Sequence, residues 1–196
     1  MRKIIYLGIL LLAVSCKKKD IEAEHHVGEI FEGGIIFSLW EENEVTHGLI
    51  ASLHDLDGGS GVPWSGNVTT SVGCKSMTNG MANTTAIVTD NNTINRAATF
   101  CSSYEGGGYT DWYLPSNREL SELCSNDIVI ENVLDNDGNE QTYGLIQEYY
   151  APTYGRYWSS TEHSNTEAWH SSFGGGYFVA DYKKTNHYRI RAIRKF

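Results

Sequence analysis

The C-terminal stretch YWSSTEHSNTEAWHSSFGGGYFVADYKKTNHYRIRAIRKF (157–196) decides how the chain is expected to fold. Successive residues of a strand face opposite sides of a sheet, so alternation of apolar and polar residues indicates strands. Such alternation runs through 167–173, 177–181 and 189–192, and the glycines at 174–176 suit a tight turn between the first two runs. The stretch therefore predicts a three-stranded meander.

The same alternation predicts which side chains support the meander and which face solvent. In the last run Arg189 and Arg191 should point outward, whereas Ile193 breaks the pattern and marks a bulge or a change of covering layer. The expected inward framework is Trp169, Phe173, Phe178, Ala180 and Ile190. The outward and loop positions share no single chemistry, which favours a ligand-binding surface. The candidate binding residues are His163, Asn165, His170, Ser172, Tyr177, Val179, Asp181, Tyr182, Asn186, His187 and Tyr188.

The N-terminus predicts export and a lipid anchor. Arg2 and Lys3 precede an apolar run, 4–14, that is too short to span a bilayer and suits a signal peptide. The run ends in Ala13-Val14-Ser15-Cys16, which resembles the lipobox of bacterial lipoproteins, whose cysteine is acylated after cleavage. The alternative is an ordinary signal peptide with an incidental cysteine. Residue 17 is not aspartate, which by this resemblance favours the bacterial outer membrane and exposure at the cell surface.

These features predict a signal peptide at 1–15, a lipid-anchored tether at 16–27 and one domain at 28–196. Loss of the first fifteen residues changes the formal charge from −9 to −11, because Arg2 and Lys3 are the charged residues removed. An acidic chain disfavours nucleic acid and polyanionic glycans, which are bound chiefly by Lys and Arg. The expected partners are the membrane, through the lipid, and an unknown protein or glycan on another cell, phage or host surface, with no nucleic acid.

The cysteines allow at most one disulfide within the domain. Lipidation of Cys16 leaves Cys74, Cys101 and Cys124, an odd number in an exported protein. Cys101 and Cys124 each end a predicted short helix, and either could instead be a buried thiol. The sequence leaves the pairing open.

The N-terminal half predicts a hairpin and a covering loop. GGIIFSL (33–39) and GLIAS (48–52) have the composition of paired strands, with a polar turn at 41–46 between them. The loop at 57–80 is rich in Gly, Ser, Thr and Asn, and Trp64 is its only large apolar residue. We therefore expect Trp64 to order a loop that covers the sheet.

Short helices are expected in the middle of the chain. Asn83 can cap a helix, and an interruption near residue 91 divides the segment up to Cys101 into two short helical pieces. An aromatic strand, DWYLP (111–115), cannot continue past its proline. Ser116 and Glu119 then form a capping box that starts another helix.

Five pieces of the sequence, in this order, resemble the Lcl C-terminal type of C-type-lectin-like domain. The resemblance implies an α+β, C-type-lectin-like fold with antiparallel strands, short helices and long loops, and it extends over nearly all of 28–196. The pieces are GGIIFSL (33–39), MANTTAIV (81–88), DWYLPSNREL (111–120), YWSSTE (157–162) and RIRAIRKF (189–196).

Within that group, YWSSTE followed by the closing RAIR run is most similar to lipoproteins that are variable proteins of diversity-generating retroelements. In those proteins an error-prone reverse transcriptase rewrites adenine-derived codons near the C-terminus, so ligand-contacting residues vary while the scaffold persists. Most candidate residues at 163–188 are reachable from an asparagine codon in this way, although Glu167 and Lys183 are not. The alternative is an ordinary exposed polar β-surface.

No catalytic, metal or cofactor site is expected. The seven histidines and the remaining cysteines have no metal-ligand spacing, and the acidic run 135–140 lacks the spacing of an EF-hand. The sequence also lacks the Glu-Pro-Asn, Gln-Pro-Asp and Trp-Asn-Asp motifs of calcium-dependent lectins. The chain is therefore expected not to be an enzyme.

The leading hypothesis is a surface lipoprotein with receptor-like or adhesin-like ligand binding, presenting a variable face at 163–188. The alternatives are a fixed glycan-binding adhesin of the Lcl type and a structural envelope lipoprotein. The basic cluster Arg189, Arg191, Arg194 and Lys195 has two interpretations. It either pairs with acids of the domain and fixes the last strand, or forms an anion-binding strip.

Overall fold

The computed structural model describes residues 25–58, 60–66, 70–90, 97–142, 144–145, 155–173, 177–183 and 186–196. The predicted signal peptide, the lipidation site Cys16 and all but the end of the tether lie outside these residues, as does the glycine turn at 174–176. At Tyr177 and Tyr182 the backbone alone is described. Within the described part of the chain, no helix is long and apolar enough to cross a membrane.

The first sheet is four-stranded and antiparallel, in the order β1-β2-β3-β7. The predicted hairpin is confirmed, and its strands extend further than expected, because Asn43 and Glu44 alone form the turn with positive φ angles of 53° and 64°. A bulge interrupts the β2–β3 register between Ile36 and Ser38. The strands are β1 Ile30–Phe31, β2 Gly34–Glu42, β3 Val45–Ser52 and β7 Ile193–Lys195.

The second sheet is a three-stranded antiparallel meander, in the order β4-β5-β6. Its strands are β4 Arg156–Glu162, β5 Glu167–Ser172 and β6 Tyr177–Tyr182. The predicted strands at 167–173 and 177–181 are therefore confirmed. The assignment of 189–192 as the third strand is wrong, because β4 occupies that place.

The last run of the chain instead connects the two sheets. Arg189 forms a parallel bridge with Tyr157 at the outer side of β4. Four residues later the chain enters the first sheet as β7, where Ile193 pairs with Ala51 of β3. The break in alternation at Ile193 marks this change of sheet.

The helices are α1 Gly80–Thr89, α2 Ala97–Ser102, α3 Asn117–Ser125 and α4 Asp127–Leu134. The two helical pieces and the Ser116–Glu119 capping box are confirmed. The predicted cap of the first piece is wrong, because Asn79 rather than Asn83 accepts a hydrogen bond from a first-turn amide, that of Ala82. The combination of these helices with two antiparallel sheets gives an α+β fold.

Among the described residues, the buried apolar side chains form two clusters. Adjacent residues of one strand enter different clusters, as Tyr157 and Trp158 of β4 do. Trp64 is fully buried in the first cluster, and its Nε1–H donates to the Ser159 carbonyl at 2.8 Å. The expectation that Trp64 orders a loop over the sheet is confirmed.

A buried carboxylate, Asp55, joins the loop after β3 to β4 and to the C-terminal segment. Its Oδ2 accepts hydrogen bonds from the Tyr157 hydroxyl and from an Arg189 guanidinium N–H, both at 2.9 Å. The Nε of Arg191 lies 2.9 Å from Asp55 Oδ1. Burial, together with the carboxylate beside it, raises the pKa of Tyr157 well above its usual value, so this hydroxyl remains protonated.

Arg191 extends the same network to the backbone. Its two terminal guanidinium nitrogens donate to the carbonyl oxygens of Ser52 and Gly144, each at 2.9 Å. Arg189 and Arg191 are only 4% and 1% exposed. The expectation that they face outward is therefore wrong. The expectation that the terminal cations pair with acids of the same domain is confirmed for these two arginines and for Arg194.

The three cysteines of the domain are free thiols. Cys74 and Cys101 are buried, and Cys124 is half-buried with its Sγ 3.1 Å from Ser171 Oγ. Burial raises the pKa of both Cys74 and Cys124 to about 12. Thiols this basic are unreactive at neutral pH.

Asp55→Asn should destabilise the domain by about 3–5 kcal/mol, because it leaves two buried guanidinium groups without their carboxylate. Urea unfolding monitored by circular dichroism measures the change. Asp111→Asn is the matched control, since Asp111 also pairs with an arginine, Arg194, but is half-exposed. Its cost should stay below about 1 kcal/mol. Equal losses in the two variants would contradict the central role of Asp55.

Candidate ligand-binding surface

One face of the second sheet carries most of the predicted binding residues. The β5–β6 register pairs Ala168 with Asp181, His170 with Val179, and Ser172 with position 177. Since paired residues of antiparallel strands lie on the same side, these even positions of β5 and odd positions of β6 form one face, here called the β6 face. Trp158 of β4 pairs with His170 and extends this face inward.

Tyr188 lies across the buried part of the β6 face. Its ring centroid is 4.5 Å from those of both Trp158 and His170, and its hydroxyl donates to Asp181 Oδ2 at 2.5 Å. The guanidinium of the exposed Arg156 is 5.6 Å from the Tyr188 centroid, within range of a cation–π contact. The face is therefore built on a packed aromatic base.

The predicted exposure of His170 and Tyr188 is wrong, since they are only 3% and 4% exposed. Alternation placed His170 on the correct face, but residues 186–190 fold back over that face and cover it. Tyr188 is held there by a backbone bridge to Val62 in the loop after β3. Both residues thus belong to the base of the face.

The protonation states within this base follow from burial. Burial lowers the pKa of His170 below its usual value, although the Asp181 carboxylate, 3.3 Å from Nε2, opposes the shift. Burial and the hydrogen bond to Asp181 raise the pKa of Tyr188 to about 12. At neutral pH the base therefore contains an uncharged imidazole and an intact phenol.

The accessible part of the β6 face is a rim around this base. Val179 is 47% exposed on β6, and the side chain of Asp181 is partly exposed beside it. His187 is exposed in the segment that carries Tyr188, and Asn186 and Ser172 are half-buried. These side chains project from the rim and leave the packing beneath it intact.

His163 and Asn165 lie apart from this rim, in the turn between β4 and β5. The His163 ring is 5.0 Å from that of Trp169, which is only half-buried and lies on the opposite face to His170. The prediction that Trp169 is an inward framework residue is therefore wrong. On the Trp169 side of the sheet, Cys124 of α3 contacts Ser171, so the helix covers Ser171. Trp169 lies outside this covered area.

The remaining predicted residues have mixed placements. Position 182 pairs with Glu167, so the backbone register puts it on the Trp169 side. Phe178 and Ala180, predicted to face inward, are half-buried. The other framework predictions, Phe173 and Ile190, are confirmed as buried.

Sequence reasoning missed a buried ion pair at the end of the second sheet. The Lys183 ammonium pairs with the Glu162 carboxylate, and both side chains are inaccessible to solvent. Lys183 Nζ also lies 4.5 Å from the Trp64 ring centroid. The position of Glu162 at the end of the YWSSTE motif was a signal for a structural role, but strand alternation gives no sign that a lysine is buried.

Glu162 also fixes the loop over the sheet. Its carboxylate accepts hydrogen bonds from the Ser71 hydroxyl and from the amides of Val72 and Gly73. Burial alone would raise the pKa of Glu162, but the hydrogen bonds from Lys183, Ser71 and Val72 outweigh it and hold the pKa below its usual value. The covering loop is thereby attached to the strand that leads into the candidate surface.

Within the residues that the structure describes, no group of three or more His, Cys, Asp or Glu side chains is arranged to hold a metal ion. His163, in the β4–β5 turn, packs against Trp169 on the side of the sheet opposite His170. These two candidate binding residues therefore do not lie together.

Comparison with known proteins identifies the family. The sequence model of the Lcl C-terminal domain family matches residues 56–194, well over half of the chain, so the protein belongs to this family. Strands β1 to β3 precede the matched region, although β3 pairs with β7 at its end. No curated protein matches the chain.

A solved structure supports the fold. A fimbrial protein from Bacteroides ovatus is similar over 74% of this chain, with 20% sequence identity and a TM-score of 0.52. The chain spans only 35% of that protein's length. The likeness therefore concerns the fold alone, and it agrees with the α+β, antiparallel architecture described above.

The free energy of unfolding should fall as the pH is lowered from about 7 to about 5, because unfolded His170 takes up a proton near its ordinary pKa of 6.5 and the folded ring does so less readily. His170→Gln should make this dependence shallower, though not flat, since burial also lowers the pKa of His54. Urea titrations across this pH range measure the slope.

His163→Gln removes a histidine from the exposed β4–β5 turn and serves as the control. A wild-type slope in His170→Gln, or an equal change in both variants, would contradict the assignment to the buried ring.

Proposed function

We propose that this protein is a cell-surface ligand-binding protein, receptor-like or adhesin-like, that contacts its partner through the rim of the β6 face. The observation that carries the proposal is that the β6 face has an exposed rim and a separate, buried base. Exposed Val179 and His187 stand on a buried base formed by Trp158, His170 and Tyr188, in which the Trp158 indole and the Tyr188 hydroxyl donate hydrogen bonds. Such a surface can change its contacts without losing its fold.

The rim suits recognition rather than turnover. Binding surfaces combine rigid aromatic support with adaptable polar contacts, and the partly exposed Asp181 beside the Tyr188 hydroxyl provides both. Val179 adds an exposed apolar contact next to them. A partner would bury these side chains against a base that is already ordered, so little conformational entropy is lost on binding.

Diversification by a retroelement would act on this rim. Rim positions 172, 179, 181, 186 and 187 lie in the C-terminal segment that varies in the proteins the sequence resembles. Substitutions at exposed Val179 and His187 leave the contacts of the base unchanged, whereas a change at Asp181 would remove the acceptor of the Tyr188 hydroxyl. We therefore propose, more specifically, that this is a retroelement variable protein with a C-type-lectin-like domain. The present rim would then be one of many variants of this surface.

The surface location rests on three supports. The chain belongs to the Lcl C-terminal domain family, and the protein with a similar fold is a fimbrial protein. The lipobox-like Ala13-Val14-Ser15-Cys16 supports an acylated lipoprotein with a palmitate-type chain on the outer membrane. The tether at 16–27 would place the domain away from the bilayer.

An anion-binding strip for sulfated glycans is not favoured. Arg189 and Arg191 bind Asp55, and Arg194 binds Glu32 and Asp111. All three guanidinium groups are buried. The terminal arginines therefore act in the fold, and the net charge of −9 further opposes polyanions.

Val179→Arg combined with His187→Ala should weaken partner binding about tenfold or more, because both changes alter the exposed rim. The probe is an array of glycans and bacterial surface proteins incubated with the full-length protein. Surface changes of this kind should leave the unfolding midpoint nearly unchanged.

The matched control is Val45→Arg with His47→Ala, at the far hairpin of the first sheet. An array signal that the control pair abolishes and the rim pair preserves would contradict this proposal.

Diversification predicts a second copy of the coding segment for 163–188 near the gene, beside a reverse transcriptase gene. Differences between the two copies should fall at template adenines. Sequencing of the flanking DNA provides the measurement. Absence of both the copy and the reverse transcriptase gene would remove the retroelement proposal and leave the binding proposal standing.

A further inference from the structure

Strand β6 forms an edge of the second sheet. In the described part of the chain, β6 pairs only with β5, whereas β4 is bridged on its outer side by Arg189. The outer row of β6 backbone groups therefore has no strand partner among the described residues. A row of this kind is a template for pairing with another chain.

The directions of the β6 amides follow from the ladder. The Lys183 N–H donates to the Thr166 carbonyl at 3.0 Å, which continues the β5–β6 register by one pair. Hydrogen-bonded and non-hydrogen-bonded pairs alternate in an antiparallel ladder, so residues 177, 179 and 181 bond toward β5. The N–H and C=O groups of Phe178, Ala180 and position 182 consequently point outward.

The sequence of β6 does little to block pairing. Natural edge strands are commonly protected by lysine, proline or a bulge, and YFVADY (177–182) has neither residue. The β5–β6 pairing is also regular over six consecutive pairs, without a bulge. Asp181 is the single charged side chain, and Tyr188 already binds it.

We propose that two copies of this chain pair antiparallel through β6, with Ala180 at the two-fold axis. In this register Ala180 faces its own copy, and the small side chain permits close approach. Val179 lies opposite the second copy's Asp181, so no like charges face each other directly. Of the antiparallel registers that the outward amides allow, this one brings the outward groups of Phe178, Ala180 and position 182 into a single ladder.

The dimer would be one continuous sheet of six strands. Because the two-fold axis of an antiparallel pair is perpendicular to the sheet, both β6 faces lie on the same side. A bivalent surface of this kind increases avidity for a partner displayed in many copies. The pairing is inferred from the backbone alone and stands independently of the proposed function.

Ala180→Pro should weaken self-association about tenfold or more, because proline removes the central outward N–H donor and an edge position of a sheet tolerates it. Sedimentation velocity of the purified full-length protein over a concentration series measures the monomer–dimer equilibrium. Ala180→Ser is the matched control, since it keeps the N–H and adds little volume. Wild-type protein that remains monomeric throughout, or a Pro variant that dimerises like wild type, would overturn the proposal.

A second measurement remains informative if Ala180→Pro fails to fold. A hydrogen-bonded antiparallel pair has a Cα separation of about 5.5 Å, which a disulfide can bridge. Ala180→Cys should therefore give a covalent dimer on mild oxidation, above the background of wild type and of Val45→Cys, at another exposed strand position. Equal yields at positions 180 and 45 would count against β6 pairing.

Discussion

The buried carboxylate of Asp55 is the constraint on which the rest of the structure depends. Two guanidinium groups, those of Arg189 and Arg191, and the Tyr157 hydroxyl converge on its oxygens. Burying a carboxylate costs several kcal/mol unless partners compensate, so these contacts are obligatory once the site is closed. They attach the C-terminal segment to β4 and to the loop after β3, and this segment then enters the first sheet as β7.

The attachment of the C-terminal segment determines the shape of the candidate surface. Fixing Arg189 at the outer side of β4 places Tyr188 over Trp158 and His170, where its hydroxyl reaches Asp181. The base of the β6 face is thus set by contacts outside the face itself. Exposed side chains at the rim contribute little to this packing, and a substitution there should cost much less stability than one in the base.

Sequence patterns predicted the parts of the structure that depend on local rules. The β2–β3 hairpin, the Ser116–Glu119 capping box and the strands β5 and β6 all follow from composition and alternation. Alternation failed for Arg191 because it assumes one sheet with one solvent side, whereas this segment crosses between two sheets. The acid that pairs with buried Arg191 is Asp55, 136 positions away along the chain, and no local pattern can reveal such a distant partner.

The placement of charge also limits what the surface can recognise. The buried cations near the C-terminus have acids of the same domain: Asp55 for two arginines and Glu162 for Lys183. These ion pairs are buried, so they stabilise the fold and add no positive charge to the protein surface. The rim instead presents Val179 and a partly exposed Asp181 over an aromatic base. The proposed recognition would therefore rest on shape, apolar contact and hydrogen bonding more than on long-range attraction of polyanions.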